Sequence, residues 1–145
     1  MTPDRRVVPF RRWHYEWLDD APAEGEVPAV PASWLAHLEG QNSWTAVVDG
    51  NPVCCAGTMA QWPGRHIAWA YVKKGVLPHM DWITEEVRKN LEGVVGRIEF
   101  TVRRSFPAGI RWAKQLGFEV ETPVLRAFGP AGEDHVGFVR FNKVN

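Results

Sequence analysis

Large apolar and polar side chains alternate along several short stretches of this chain, and glycine, proline or aspartate separates these stretches. Ile98, Phe100 and Val102 are spaced by polar residues, which is typical of a strand with one face in a core. The Asp49-Gly50 dipeptide between two β-prone runs favours a tight hairpin turn. The pattern predicts strands near residues 7–8, 44–48, 52–59, 67–72, 98–102, 120–128 and 135–141.

Helical spacing interrupts the strands in the second half of the chain. Over 80–91, apolar residues recur every three or four positions, and charged residues occupy the other face. Ile110, Ala113 and Leu116 repeat this spacing, and Gly117 then supplies the left-handed residue that ends many helices. Shorter helices are predicted over 10–18 and 33–39, with a proline-rich loop over 19–31 between them.

Composition narrows the class of protein. The chain has 145 residues, of which 45% are hydrophobic and 23% charged, so we predict one domain over 1–145. Seventeen basic residues balance 17 acidic ones, which argues against a nucleic-acid partner. A basic patch from the N-terminal arginines stays open as a local contact surface. No apolar run is long enough to span a bilayer, so no membrane partner is expected and a cytoplasmic location is predicted.

The cysteines and histidines predict no metal or redox centre. Cys54 and Cys55 are adjacent in an apolar run, so their side chains should point to opposite faces of a strand and cannot easily form a disulfide. Neither a CxxC motif nor a histidine spacing typical of zinc sites is present. We therefore expect two buried or half-buried thiols and no metal.

The segment 97–121 carries the most specific signature. An apolar strand is followed by an amphipathic helix, a Leu-Gly-Phe stop at 116–118, and a second extended segment. This order resembles the C-terminal half of the GCN5-related N-acetyltransferase (GNAT) superfamily. The resemblance implies an α+β (α/β) fold: a mixed, mostly antiparallel sheet of six or seven strands, with helices on both faces and a splay between strands 66–72 and 98–102. It is most specific over 44–141, and 1–43 forms a divergent N-terminal part.

A finer likeness concerns bacteriophage proteins. The hairpin Val-Asp-Gly-Asn-Pro-Val at 48–53, the Pro-Gly-Arg turn at 63–65 and the turn at 129–134 are similar to small acetyltransferase-like proteins of tailed phages. These include proteins grouped with the T7-type internal virion proteins. The likeness implies a phage-encoded protein in the host cytoplasm or the virion, with a phage or host protein as a partner.

The GNAT resemblance also implies a co-substrate and a site. Acetyl-CoA would lie in the splay, with its pyrophosphate at the start of the helix near residue 80, and an amine would accept the acetyl group. The glycines that this family carries in the preceding loop are missing here, and Pro78 lacks an amide donor. The residues implied to bind the cofactor are Val72, Lys73, Lys74, Gly75, His79, Met80, Arg103 and Arg104.

Catalytic residues are less evident than the fold. The asparagine and tyrosine that the family carries in the later helix fall on Phe106 and Ala113, which offer no side-chain hydrogen bond. Glu99 is a candidate base acting through water, although a salt bridge with a neighbouring arginine is an open alternative. Tyr71 is a second candidate. The sequence is therefore compatible with two functions. The protein is either an acyl-CoA-dependent N-acyltransferase or an inactive protein of the same fold that binds a partner. A gap filled by aromatic side chains would favour the inactive protein.

Overall fold

The computed structural model describes residues 2–19 and 30–143. The strands are β1 (Arg5–Pro9), β2 (Asn42–Val48), β3 (Asn51–Trp62), β4 (Arg65–Val72), β5 (Gly96–Arg103), β6 (Glu119–Leu125) and β7 (His135–Asn142). The helices are α1 (Arg12–Asp19), α2 (Ala32–Leu38), α3 (Met80–Glu92) and α4 (Pro107–Gln115), and a short 3₁₀ turn, Leu77–His79, precedes α3. The proline-rich loop predicted over 19–31 lies mostly outside the described residues.

One mixed sheet organises these elements. Its seven strands follow the order β1-β2-β3-β4-β5-β7-β6. All neighbouring pairs are antiparallel except β4 and β5, which run parallel. Helix α3 connects this parallel pair, since parallel neighbours require a crossover rather than a tight turn. The predicted α+β architecture with an open sheet is confirmed.

Two apolar cores cover the two faces of the sheet. Helices α1 and α2 pack on one face through side chains that include Tyr15, Leu18 and Leu38, and we call this the α1/α2 face. Helices α3 and α4 pack on the opposite face, the α3/α4 face. Cys55 belongs to the first core and Cys54 to the second, so the predicted division of the two thiols is confirmed. Burial raises the pKa of Cys55 to about 12.

Helix α4 ends where the sequence predicts, just before Gly117. Pro107 occupies its first turn, where a missing amide costs nothing. Gly117 adopts a φ of +89°, the left-handed conformation that lets the chain turn back after the helix. The Phe118 amide then donates to the Ala113 carbonyl at 3.1 Å, and the Phe118 ring is buried beneath the helix end. This stop aims the chain into β6.

Candidate functional site

The parallel strands β4 and β5 separate soon after they meet. They pair at Arg65 with Arg97, His66 with Ile98 and Ile67 with Glu99, and at no later position in the described structure. Strand β4 continues to Val72 and β5 to Arg103, each paired on its other side. The peptide groups that face each other beyond the third pair therefore border a gap that widens toward the C-terminal ends of both strands. We call it the β4–β5 gap.

The gap is narrow on the α3/α4 face. A crevice of about 20 Å³ lies there, close to the space that one water molecule needs. Ala68 and Ala70 border it from β4, and Phe100 and Trp112 border it from β5 and α4. Trp69 also reaches its edge, while its ring packs on Phe10 in the other core at 5.3 Å between centroids. The larger side chains around the crevice thus leave little free space.

The loop after β4 offers unpaired backbone donors at the open end of the gap. Among the described residues, none of the amides of 74–77 donates a hydrogen bond to another group. Gly75 has a φ of +85°, which turns the chain into the 3₁₀ segment. Free amides followed by a helix N-terminus form a favourable environment for anions. Pro78 lies in the 3₁₀ turn and contributes no donor.

An arginine from the first strand reaches this loop. The Arg5 guanidinium donates to His79 Nδ1, with Nη2 at 3.0 Å and Nε at 3.3 Å. It also lies over the Trp82 ring of α3, 5.6 Å from the centroid. Trp82 therefore packs beneath an arginine and does not border the crevice. The sequence indicates Arg5 only as part of a general basic patch, because its position 74 residues from His79 gives no sign of the contact.

The other predicted basic residues lie at the two strand ends. Lys73 follows β4 directly, and its amide donates to the Val53 carbonyl at 2.9 Å. Lys74 is exposed in the loop. Arg103 is the last residue of β5 and is half-buried, whereas Arg104 is exposed and its amide donates to the Asp134 carbonyl at 3.0 Å. Val72 and Met80 are half-buried and pack against the α3/α4 core.

Glu99 lies at the closed end of the gap in an ion pair with two arginines. Arg65 Nε lies 2.7 Å from Glu99 Oε1 and Arg65 Nη2 lies 3.0 Å from Oε2. Arg97 Nε lies 2.8 Å from Oε1. The Arg65 hydrogen bonds, assisted by Arg97, lower the pKa of Glu99 to about 2, so the carboxylate is a weak base near neutral pH. This geometry favours the ion-pair interpretation, and the catalytic role of Glu99 stays a prediction.

Tyr71 lies in an aromatic group on the α1/α2 face. Its ring centroid is 5.0 Å from that of Tyr15 and 5.5 Å from that of Trp69. Burial raises the pKa of Tyr71 to about 12, against the effect of a hydrogen bond with Trp34, so the hydroxyl is neutral. The Trp69 indole N–H is buried and has no hydrogen-bond partner in the described part of the chain. The role of Tyr71 stays a prediction.

The described residues contain neither a metal-binding cluster nor a membrane-spanning helix. No group of three or more histidine, cysteine, aspartate or glutamate side chains within 2–19 and 30–143 is arranged to hold a metal ion. No helix in those ranges is long and apolar enough to cross a membrane.

Several solved acetyltransferase structures share this fold. The ribosomal-protein-S18-alanine N-acetyltransferase of Escherichia coli superposes with a TM-score of 0.72 at 15% identity, covering 98% of this chain and 96% of that one. Ard1 from Thermoplasma volcanium gives 0.70 at 14% identity, with 97% and 99% covered. The GNAT-family acetyltransferase from Bacillus anthracis gives 0.70 at 11%, with 97% of each chain covered. No family model and no curated protein matches the chain. The predicted GNAT fold is therefore confirmed at the level of structure.

Proposed function

We propose that this protein is an acyl-CoA-dependent N-acyltransferase that moves an acetyl group from acetyl-CoA to an amine. The observation that carries the proposal is the β4–β5 gap, which opens toward a loop with unpaired amides and basic side chains. The structural likeness to acetyltransferases of the GNAT fold supports the same reaction. The likeness alone defines a fold, so the proposal depends on the site.

The phosphates of acetyl-CoA would bind at the open end of the gap. The amides of 74–77 and the first turn of α3 supply backbone donors, and Arg5 with His79 supplies side-chain donors beside them. Arginine suits this role because its planar guanidinium can bind two phosphate oxygens. Basic side chains would thus replace the missing loop glycines. The proposed cofactor-binding residues are Arg5, Val72, Lys73, Lys74, Gly75, His79, Met80, Arg103 and Arg104.

The chemical step would rely on positioning. The pantetheine arm would follow the gap toward its closed end, where the thioester carbonyl meets the amine. The amine nitrogen attacks the carbonyl carbon, the C–S bond breaks, and CoA leaves as the thiolate. Ala113 is fully buried and cannot donate a proton to that thiolate. The thiolate therefore takes its proton from solvent.

A phage origin is the finer part of this proposal. It rests on the resemblance of the 48–53 hairpin and the 129–134 turn to small phage proteins. The acceptor amine would then belong to a phage or host component.

A second candidate is an inactive GNAT-fold protein that binds another protein, as a virion component or a host-binding module. The narrow crevice favours it, because about 20 Å³ does not accommodate a pantetheine arm unless the gap widens. Trp13 and Trp17 are 51% and 50% exposed on α1 and offer apolar surface to a partner. Tyr15, between them in the sequence, is buried and adds nothing to this surface, since it faces the sheet.

Calorimetric titration with acetyl-CoA, and with CoA as a second ligand, tests the proposal. We expect micromolar binding by the full chain. Arg5→Gln should weaken it by about tenfold to a hundredfold, because one charge-assisted hydrogen bond contributes about 1.5–3 kcal/mol. Arg6→Gln is the matched control, since Arg6 neighbours Arg5 on β1 but pairs with Asp4 at 3.0 Å. Absence of binding at millimolar ligand would leave the second candidate.

A further inference from the structure

Three polar side chains form a hydrogen-bonded series that starts on β5, the strand that borders the β4–β5 gap, and continues on β7 and in the turn before it. Thr101 Oγ1 on β5 lies 3.2 Å from His135 Nδ1 at the start of β7. His135 Nε2 lies 3.3 Å from Glu133 Oε1 in the preceding turn. The His135 side chain is 14% exposed and that of Glu133 is 21% exposed, so the series is largely shielded from water. The proposed cofactor site uses none of these three residues.

The hydrogen bonds define a direction for proton movement. The Glu133 carboxylate accepts the Ala131 amide at Oε2, at 2.9 Å. Hydrogen bonds from its own amide, from His135 and from Ala131 lower the pKa of Glu133, so it is ionised and can only accept. In the neutral imidazole, this carboxylate favours the tautomer with the proton on Nε2, which leaves Nδ1 as an acceptor. The Thr101 hydroxyl therefore donates to Nδ1 and keeps its oxygen lone pairs free.

Thr101 lies where the reacting groups would meet. It is two residues beyond Glu99, the last β5 residue paired with β4, or about 7 Å along the strand. Its side chain alternates with Phe100 and Val102, which pack in the α3/α4 core, so it points to the α1/α2 face. Trp69 and Tyr71 lie on that same face from β4. An acyl group that enters from the open end would lie between Thr101 on β5 and the aromatic residues Trp69 and Tyr71 on β4.

We propose that Thr101 and His135 accept the proton of the attacking amine, and that Glu133 positions the imidazole. This inference rests on the proposed acyltransferase function. As the amine nitrogen bonds to the thioester carbon, its proton passes to Thr101 Oγ1, and the hydroxyl proton passes to His135 Nδ1. The C–S bond then breaks and CoA leaves as the thiolate. The imidazolium, hydrogen-bonded to the Glu133 carboxylate, returns the proton to solvent.

The turn before β7 is shaped to hold the carboxylate. A Cβ atom on Gly129 would overlap Glu133 Oε1 and Cδ, so any other residue at 129 must displace that side chain. The Phe128 ring lies beside the imidazole, 5.2 Å between centroids. Gly129→Ala is therefore a variant that disturbs the position of Glu133 while leaving Thr101 and His135 in place.

The test compares turnover with cofactor binding in the full-length protein. Release of the CoA thiol from acetyl-CoA is measured with two kinds of amine acceptor, peptides with a free N-terminal alanine and peptides that contain lysine. A reaction with water alone gives the rate of hydrolysis. Thr101→Val and His135→Gln should each lower kcat by about 10²-fold or more, the usual contribution of a general base. KM for acetyl-CoA should change by less than about threefold. Gly129→Ala should have an intermediate effect, and His37→Gln, at an exposed histidine of α2, should have none.

Imidazole ¹⁵N spectra give a second readout that needs no acceptor. We expect His135 to carry its proton on Nε2 in the wild type, and Gly129→Ala to weaken that preference. A proton on Nδ1, or an unchanged kcat in Thr101→Val and His135→Gln, would overturn the proton path while leaving acetyl-CoA binding intact. Absence of both acetyl-CoA binding and CoA release would overturn the proposed function together with this inference.

Discussion

Glu99 is a candidate base whose surroundings favour an ion pair. Arg65 and Arg97 supply three hydrogen bonds of 2.7 to 3.0 Å to its two oxygens. Its pKa falls from 4.5 to about 2. Because the folded pKa is lower than the unfolded one, the ion pair stabilises the fold fully above about pH 4.5. That stabilisation is lost as the pH falls from there toward 2.

Glu99→Gln should therefore remove an acid-sensitive part of the stability. At pH 7 we expect the free energy of unfolding to fall by about 1–3 kcal/mol, because charge-assisted hydrogen bonds are lost. The difference between wild type and variant should shrink between pH 4.5 and 2, as measured by urea denaturation. Glu16→Gln, at an exposed site of α1, should change stability little at neutral pH. If the difference in free energy of unfolding between wild type and Glu99→Gln stays constant from pH 4.5 to 2, Glu99 does not form the stabilising ion pair.

Individual partners were the least predictable part of the site. The sequence placed Glu99, Tyr71 and the basic strand ends on the correct strands, because the alternating pattern identifies a strand and its faces. It did not reveal that Arg65, 34 residues away, binds Glu99, or that Arg5 lies beside His79. Thr101 and His135 were missed for the same reason, since β5 and β7 meet only in the folded sheet. Such pairs depend on strand order and register.

At the scale of elements, the closed end of the gap depends on one close backbone contact. Gly96 begins β5 with a φ of +105°, and a Cβ there would lie 2.5 Å from the Gly64 carbonyl oxygen and 2.8 Å from its Cα. The same carbonyl accepts the Arg97 amide at 2.8 Å. Two glycines thus allow the turn before β4 and the start of β5 to meet, so that the strands pair before they diverge.

Gly96→Ala should destabilise the protein more than backbone conformation alone explains. A left-handed φ costs a non-glycine residue about 1–2 kcal/mol, and the clash adds about 1–3 kcal/mol. Gly40→Ala is the matched control, since Gly40 has a φ of +78° and no atom lies within 4 Å of the position that its new methyl group would take. Urea denaturation should show a larger loss for Gly96→Ala. Equal losses would mean that the close contact relaxes without cost.

The elements themselves were largely predictable. The turn at Asp49-Gly50 and the helix stop at Gly117 depend only on neighbouring residues, so the sequence indicates both directly. Strand β1 is longer than predicted, Arg5–Pro9 rather than 7–8, because pairing with β2 extends it over arginines that carry no apolar signal. Strand β6 ends at Leu125, earlier than predicted, since its pairing with β7 is irregular and stops at His135.

On the scale of the whole molecule, the sheet consists of two parts joined by three residue pairs. Strands β1 to β4 form one part and β5 to β7 the other, and within each part every strand is hydrogen-bonded to its neighbour. Helix α3 packs against β3 and adds a second connection through the α3/α4 core. A small change in the angle between the two parts would widen the crevice, because its walls belong to opposite parts. Cofactor binding and gap opening should therefore be coupled.

Hydrogen exchange with and without CoA tests this coupling. In the free protein, the amides of 74–77 should exchange rapidly because they lack partners in the described structure. Saturating CoA should slow them, while amides shared by β2 and β3 stay unchanged, since neither of these strands borders the gap. Ligand at about 100 times Kd should also add about 2.7 kcal/mol to the free energy of unfolding. At the same ligand concentration, Arg5→Gln should lower the added free energy of unfolding to about 1.4 kcal/mol or less, because its Kd is at least about tenfold higher, and Arg6→Gln should keep both effects. Protection confined to α1, around Trp13 and Trp17, would instead indicate that CoA binds outside the gap and would contradict the coupling.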